Sequence, residues 1–316
     1  MKKAFKVCGK VLLCIVIIFA LFTAGLTVYH RVMLGKEAGL RAPLGQMVEV
    51  EGKNMCVYTE GSGSRTLVFL SGCATPSPVL DFRSLYSLLS DDYRIAVVER
   101  FGYGASDMAD GERTADIMLE EDRAALEKAG LTAPYVLCAH SLAGLEAVSW
   151  SQLYPDEVEA VVGLDMSLPN AYDNTDTDIP APAQMLIRFA AETGYLRLPF
   201  IYGQQDALKY GTLTEDEKEQ YKAVFFAIGY NKTVMQESAD LKKSIEQIKL
   251  REKPDTPMLL FVSDDPDPAW HEAQHGYIEG NPQSRYVELS CGHYVHDAEY
   301  KKINEEMREF LDGLAS

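Results

Sequence analysis

The sequence lacks the short motifs that bind metals or phosphates at fixed spacing. No two cysteines are spaced as C-x-x-C, and no glycine-rich phosphate loop is present. Gly102-Tyr103-Gly104 is not followed by the further glycine of a dinucleotide fingerprint. Internal repeats and low-complexity tracts are also missing. These absences argue against zinc modules, nucleotide-dependent enzymes and repeat proteins, and we predict neither a metal nor a cofactor.

Basic residues are scarce outside the N-terminus. The 316 residues include 30 Lys or Arg and 47 Asp or Glu, a net charge of −17. Residues 1–41 hold seven Lys or Arg and one Glu, so the remainder carries −23. An acidic body of this kind repels nucleic acid, and no basic stretch with interleaved aromatic residues is visible. We therefore expect no nucleic-acid partner.

One long apolar run stands near the N-terminus. Four lysines, the last of them Lys10, precede the uninterrupted run Val11 to Val28. Eighteen helical residues span about 27 Å, close to the hydrocarbon thickness of a bilayer. The residues after it, Tyr29 and His30, fit a small-x-small cleavage site poorly. We predict that residues 1–30 form an uncleaved signal anchor with the body outside the cytoplasm at the cell membrane. Secretion after cleavage is the alternative.

Strand and helix signals alternate along residues 43–316. Apolar runs of strand length, typical of strands buried on both faces, occur at Thr66–Leu70, Tyr93–Val98, Tyr135–Cys138, Val158–Leu164 and Met258–Val262. Amphipathic patterns between them predict helices at Asp81–Leu89, Thr114–Ala129 and Leu142–Tyr154. The alternation predicts an α/β fold with a doubly wound, mostly parallel sheet.

The alternation is interrupted over about residues 167–254. This stretch has no strand signal, and Thr214 followed by Glu217 is a capping-box pattern that opens a helix. We interpret the stretch as a helical insertion within one α/β domain.

A strand-to-helix junction presents a serine with small neighbours. The predicted strand ending at Cys138 runs into Ala139-His140-Ser141-Leu142-Ala143, and a helix follows at once. A small-x-Ser-x-small turn of this kind is the nucleophile-elbow pattern, although alanines stand where glycines are usual. The turn lifts the Ser141 hydroxyl above the sheet and sets it at a helix N-terminus. We predict Ser141 as a nucleophile.

A histidine follows the last predicted strand, Tyr286–Leu289. The loop Cys291-Gly292-His293-Tyr294 can swing an imidazole over the serine turn to accept the serine proton. His296 lies three residues further on and competes for the role, but His293 is nearer the strand end. We predict His293 as the general base.

From about Val48 to the C-terminus, the chain resembles the α/β-hydrolase superfamily. Besides the serine turn and the Gly-His loop, Gly102 to Ser106 resemble the family's Gly-x-Gly-x-Ser turn. Leu70-Ser71-Gly72-Cys73 resembles its oxyanion turn, with serine in place of histidine. The resemblance implies an oxyanion hole formed by the backbone amides of Leu142 and Cys73.

The family's acid has two candidate positions here. It usually follows the seventh strand, where the expected spacing falls on a proline and Asp265 is the nearest substitute. Some members place it after the sixth strand, where Asp165 stands. Asp165 is the first candidate and Asp265 the second, with Asp264 and Asp267 behind them. The acid would fix the histidine tautomer and stabilise the imidazolium.

The resemblance implies a hydrolase of a carboxylic ester or a similar acyl bond, acting on a small, apolar substrate. An acyltransferase, a proline-type aminopeptidase and a non-catalytic binding protein of the same fold are the alternatives. Dehalogenases and epoxide hydrolases of this fold use an aspartate nucleophile, which Ser141 argues against. Single cysteines in the body suggest free thiols, with a Cys73–Cys291 disulfide as the alternative.

Overall fold

A single eight-stranded mixed sheet forms the centre of the molecule. The computed structural model describes residues 2–173, 179–264 and 267–314. The strands are β1 Gln46–Val50, β2 Lys53–Glu60, β3 Thr66–Leu70, β4 Arg94–Glu99, β5 Tyr135–His140, β6 Val158–Leu164, β7 Met258–Val262 and β8 Arg285–Glu288. Their order across the sheet is β1-β2-β4-β3-β5-β6-β7-β8. Only the pairs β1–β2 and β2–β4 are antiparallel, which confirms the predicted α/β class with a mostly parallel sheet.

Fourteen α-helices accompany the sheet among the described residues. They are α1 Lys2–Lys36, α2 Pro78–Asp81, α3 Arg83–Tyr86, α4 Ala115–Lys128, α5 Ala143–Leu153, α6 Ala181–Thr193, α7 Pro199–Tyr202, α8 Asp206–Lys209, α9 Glu215–Ile228, α10 Lys232–Ala239, α11 Leu241–Lys249, α12 Pro268–Ile278, α13 Val295–Ala298 and α14 Tyr300–Leu314. Alternate residues of the central strands enter two separate cores. In β5, Leu137 packs with α4 and α5, whereas Val136 packs with α3 and α14. Burial on both faces explains why these strands are apolar throughout.

The predicted helix Asp81–Leu89 is wrong in its extent, because the chain there forms two short helices, α2 and α3. Phe82 separates them and packs its ring against Phe69 and His296, with centroids 5.2 and 4.6 Å apart. Tertiary contacts of this kind override the helical periodicity of the segment.

The described residues between β6 and β7 are helical or irregular, and they include the six helices α6 to α11. We call this segment, residues 167–254, the cap. The predicted capping box at Thr214 and Glu217 is confirmed, since Thr214 Oγ1 accepts from the Glu217 amide and Glu217 bonds back to the Thr214 amide.

Helix α1 continues beyond the apolar run. The stretch Phe5–Lys36 is long and apolar enough to cross a membrane, and its most apolar part is not buried by the protein. The helix extends six residues past the predicted end at residue 30, because its C-terminal turns pack against the cap. His30 is buried there, and Glu37 just beyond the helix pairs with Arg197.

All six cysteines are free. The alternative of a Cys73–Cys291 disulfide is therefore wrong, and the interpretation of these residues as thiols is confirmed.

Candidate active site

Ser141 occupies a sharp turn between β5 and α5 at the carboxyl edge of the sheet. Its φ is +51°, in the left-handed region that a side chain with Cβ seldom adopts. Ala139 and Ala143 are fully buried on either side of it. A Cβ on Gly144 would come within 2.4 Å of the Ser167 carbonyl oxygen, so the turn requires a residue without a side chain there. The sequence predicts a nucleophile elbow here for the same reason, because small residues must flank the serine for the turn to pack.

His293 lies directly beside this serine. The loop after β8 brings His293 Nε2 to 2.8 Å from Ser141 Oγ. The competing residue, His296, is buried and donates its Nε2–H to Asp81 Oδ2 at 2.8 Å. Of the two histidines, only His293 is therefore in contact with the Ser141 hydroxyl.

Asp165 completes a hydrogen-bonded line with these two residues. It follows β6, has a φ of +49°, and accepts from His293 Nδ1 at 2.6 Å through Oδ2. Burial alone would raise the pKa of Asp165, but the hydrogen bond and charge of His293 and the two donors of Ser263 hold it below its usual value. The carboxylate is therefore ionised at neutral pH. Asp265 lies outside the described residues.

Three further donors hold the Asp165 carboxylate in place. Ser263 donates its amide to Oδ1 at 2.8 Å and its hydroxyl to Oδ2 at 2.7 Å. Trp270 Nε1 donates to Oδ1 at 2.9 Å. The sequence analysis predicted no role for Ser263 or Trp270. The only available signals were that Trp270 is one of two tryptophans and that Ser263 directly follows β7.

The turn after β3 packs closely against the serine. A Cβ on Gly72 would come within 2.6 Å of Ser141 Cβ and 2.9 Å of His140 Nδ1. Among the described residues, neither the Cys73 amide nor the Leu142 amide donates a hydrogen bond. Both main-chain donors are therefore free to bind a substrate oxygen.

The cysteine thiols beside the site are poor nucleophiles. Burial and the nearby Glu237 carboxylate raise the pKa of Cys73 to about 12, and burial raises that of Cys291 to about 11. Because the thiolate is the reactive form, neither residue competes with Ser141 at neutral pH.

A buried cluster of Asp81, His140 and His296 lies behind the serine. Its potential ligand atoms are all within 4.8 Å of one another, a spacing at which they could hold a metal ion. One nitrogen of each imidazole is hydrogen-bonded, since His296 Nε2 donates to Asp81 and His140 Nε2 donates to the His293 carbonyl at 3.2 Å. The Nδ1 atoms of both rings are buried and have no hydrogen-bond partner among the described residues. Burial and the charges of His296 and His293 lower the pKa of His140 well below its usual value. A neutral His140 thus tethers the loop that carries His293.

An ion-pair network links the cap to the turn after β3. The buried Arg100 donates to the Ser71 carbonyl at 2.5 Å and pairs with Glu146 at 2.7 Å. It also lies 3.5 Å from Glu237 of α10, which accepts from the Tyr103 hydroxyl at 2.6 Å. This network fixes α10 over the Cys73 turn. It was not predicted from the sequence.

The order of the strands and the helices on both faces of the sheet are those of an α/β hydrolase. The model of the Alpha/beta hydrolase family matches residues 67–306. The chain is also 34% identical over 271 residues to the uncharacterized protein YbdG of Bacillus subtilis (strain 168), covering 84% of this chain and 83% of that protein. The protein therefore belongs to the α/β-hydrolase family.

Solved structures agree in fold at low identity. The epoxide hydrolase of Bacillus megaterium is 18% identical, with a TM-score of 0.65 over 84% of this chain and all of that one. Cfl2 of Burkholderia cenocepacia is also 18% identical, with a TM-score of 0.63 over 84% of this chain and 94% of its own. These likenesses show the fold.

Proposed function

We propose that the protein is a serine hydrolase that cleaves a carboxylic ester or a similar acyl bond. The observation that carries the proposal is the continuous line from Ser141 Oγ through the His293 ring to Asp165, with separations of 2.8 and 2.6 Å. A hydroxyl, an imidazole and an ionised carboxylate in this arrangement form the catalytic triad of acyl transfer.

In the proposed reaction, Ser141 Oγ attacks the substrate carbonyl carbon while His293 Nε2 takes the hydroxyl proton. The negative charge that develops on the carbonyl oxygen is stabilised by the free amides of Leu142 and Cys73. The tetrahedral intermediate expels the alcohol, which receives the proton from His293, and an acyl-enzyme remains. Water then attacks this ester with His293 as base, so that the acid is released and Ser141 is regenerated.

The nucleophile distinguishes this proposal from epoxide opening. Epoxide hydrolases of this fold attack with an aspartate, whereas the elbow here carries Ser141. A serine paired with a histidine favours substrates that form an acyl-enzyme. The site requires no bound cofactor for this chemistry.

We also propose that α1 anchors the enzyme in the cell membrane with the catalytic domain on the extracytoplasmic side. The support is the exposed apolar surface of Phe5–Lys36 and the lysines that precede Val11. Lysines flanking an apolar helix favour the cytoplasmic side.

A fluorescent alkyl phosphonate tests the catalytic proposal directly. We expect one covalent adduct per chain on Ser141, and no adduct in Ser141→Ala, because the phosphonate reacts only with an activated serine. The matched control is Ser149→Ala, which changes a buried serine in α5 away from the elbow and should label like wild type. Absence of labelling in the folded wild type, or labelling that persists in Ser141→Ala, would contradict the proposal.

A further inference from the structure

The cap is fastened to α1 by polar contacts. Thr23 Oγ1 and the Tyr195 hydroxyl are hydrogen-bonded at 2.7 Å, and Thr27 Oγ1 lies 3.4 Å from the Thr193 carbonyl. Beyond the end of α1, Arg197 donates to both carboxylate oxygens of Glu37 at 2.8 and 2.7 Å. A bidentate, largely buried ion pair of this kind fixes the relative orientation of its two side chains. These contacts hold this part of the cap against α1.

Aromatic contacts extend from α1 to α6. The ring centroid of Tyr195 lies 6.4 Å from that of Phe19 and 6.1 Å from that of Phe22. The ring centroid of Phe189 in α6 lies 6.0 Å from that of Tyr195. Phe19 and Phe22 belong to the apolar run of α1 and are otherwise half exposed. The C-terminal part of α6 is thus continuous with the apolar surface of α1.

The contact residues of α1 lie within its apolar run. Thr23 and Phe19 precede Val28, the end of that run, by five and nine residues. At 1.5 Å per residue these intervals are about 7 and 13 Å along the helix axis. If α1 spans a bilayer, Tyr195 is therefore at the depth that interfacial helices reach, about 5–10 Å below the headgroup boundary, or slightly deeper.

Helix α6 itself has the surface expected at that depth. Met185 and Leu186 are 72% and 67% exposed, and Phe200 in the adjoining α7 is 70% exposed. Residues 179–205 contain one acidic residue, Glu192, although the whole chain has 47. An apolar, acid-poor surface suits the outer region of a membrane and is atypical of the rest of this acidic protein.

From this continuity we propose that α6 and α7 dock into the outer leaflet of the membrane that holds α1, and that the substrate is an ester lipid dissolved in that leaflet. The choice of substrate rests on the proposed hydrolase function and on the proposed anchor, whereas the docking rests on the anchor alone. A bilayer is the occupant that the depth argument requires, because α1 and α6 share one apolar surface.

A cleft lies between α1, α6 and α9, beside the helix that we place in the membrane. Its volume is about 340 Å³, and its lining includes Arg31, Arg188 and Tyr230. The cleft therefore offers space for part of a lipid next to α6.

Photocrosslinking in vesicles tests the docking. The photoreactive residue p-benzoylphenylalanine is placed at position 186 or, as the matched control, at position 250, where Leu250 directly after α11 is 88% exposed. The full chain is reconstituted in vesicles of phosphatidylcholine and phosphatidylglycerol with a radioactive phospholipid. We expect lipid adducts from position 186 and none from position 250. No adduct at 186, or equal adducts at both positions, would overturn the docking.

Enzyme assays test the substrate class. In the same vesicles, Leu186→Glu should lower hydrolysis of a long-chain diacylglycerol by about tenfold, because a carboxylate is unfavourable below the headgroups. Hydrolysis of a short, soluble aryl ester should be unchanged, and Leu250→Glu should change neither rate. An equal loss on both substrates, or no loss on either, would refute the inference.

Phosphonate labelling separates the two proposals. If Ser141 is labelled but wild type does not hydrolyse the membrane lipid, the substrate inference fails and the hydrolase proposal stands. If Ser141 is not labelled, the hydrolase proposal fails, and the crosslinking result still decides the docking.

Discussion

Replacement of Asp165 by asparagine should remove most of the activity while leaving the fold intact. In the wild type, Oδ1 accepts from two fixed N–H donors, the Ser263 amide and Trp270 Nε1. The asparagine carbonyl must therefore take the Oδ1 position, which leaves its NH2 group facing His293 Nδ1. The Ser263 hydroxyl can rotate to accept from that NH2 group, so no buried donor or acceptor is left unpaired.

The consequence for catalysis is a change of tautomer. An NH2 group facing His293 Nδ1 requires that nitrogen to accept, so the ring proton moves to Nε2, which then cannot take the proton of Ser141. A wrong tautomer in a serine triad lowers kcat by about 10⁴-fold, which corresponds to about 5.4 kcal/mol of activation free energy. The free energy of unfolding should change by only about 1 kcal/mol, because each buried donor and acceptor around the asparagine still has a hydrogen-bond partner.

The assay is hydrolysis of a soluble aryl ester, with urea unfolding measured on the same preparations. The matched control is Asp265→Asn, because Asp265 is the other acid that the sequence allows. We expect Asp165→Asn to lose about four orders of magnitude and Asp265→Asn to remain within about twofold of wild type. If Asp165→Asn is folded and keeps more than about a tenth of the wild-type rate, the role of Asp165 is refuted. The same conclusion follows if Asp265→Asn is the variant that loses activity.

Three further changes test the surroundings of the triad. Gly72→Ala should lower kcat by about 100-fold, because the new Cβ would lie 2.6 Å from Ser141 Cβ and displace the nucleophile; an unchanged kcat in a steady-state ester assay would contradict this reasoning. Glu237→Gln should lower the free energy of unfolding in urea by about 3 kcal/mol, because it removes one of the buried carboxylates paired with Arg100; a neutral result would show that the remaining partners suffice. His140→Gln keeps an N–H donor but cannot be protonated. The pKa of His140 is lowered on folding, so the unfolded chain binds the proton more readily and wild type loses stability as pH falls below about 6.5. The variant should lose less between pH 7 and pH 5, and parallel losses would contradict the buried, neutral state.

The sequence was sufficient for the order of elements and for the strands buried on both faces. A continuous apolar run such as Thr66–Leu70 indicates a strand that is buried on both faces of a parallel sheet. For this reason β3, β5, β6 and β7 were predicted within about two residues of their observed bounds. The broken helix at Phe82 could not be predicted, because the break depends on rings from β3 and α13 that are distant in sequence.

The residues of the candidate site also differ in how far the sequence alone predicts them. Ser141 and His293 carry local signals, since a tight turn demands small neighbours and a loop after the last strand has few other histidines. The signal for Asp165 was weaker: the sequence ranked it above Asp265 but left both open, because both acids follow a predicted strand of the same parallel sheet. The supporting donors Ser263 and Trp270 likewise have no pattern of their own, because their role is defined by a carboxylate about a hundred residues away.

The sequence by itself determined the α/β class, the elbow and the apolar N-terminal helix, because each follows from periodicity or from steric limits within a few neighbouring residues. Only the tertiary structure decided which aspartate faces His293, how Arg100 ties α10 to the turn before Ala74, and that α1 packs along the cap. Those contacts join residues far apart in the chain, and their geometry depends on how the whole sheet and its helices pack.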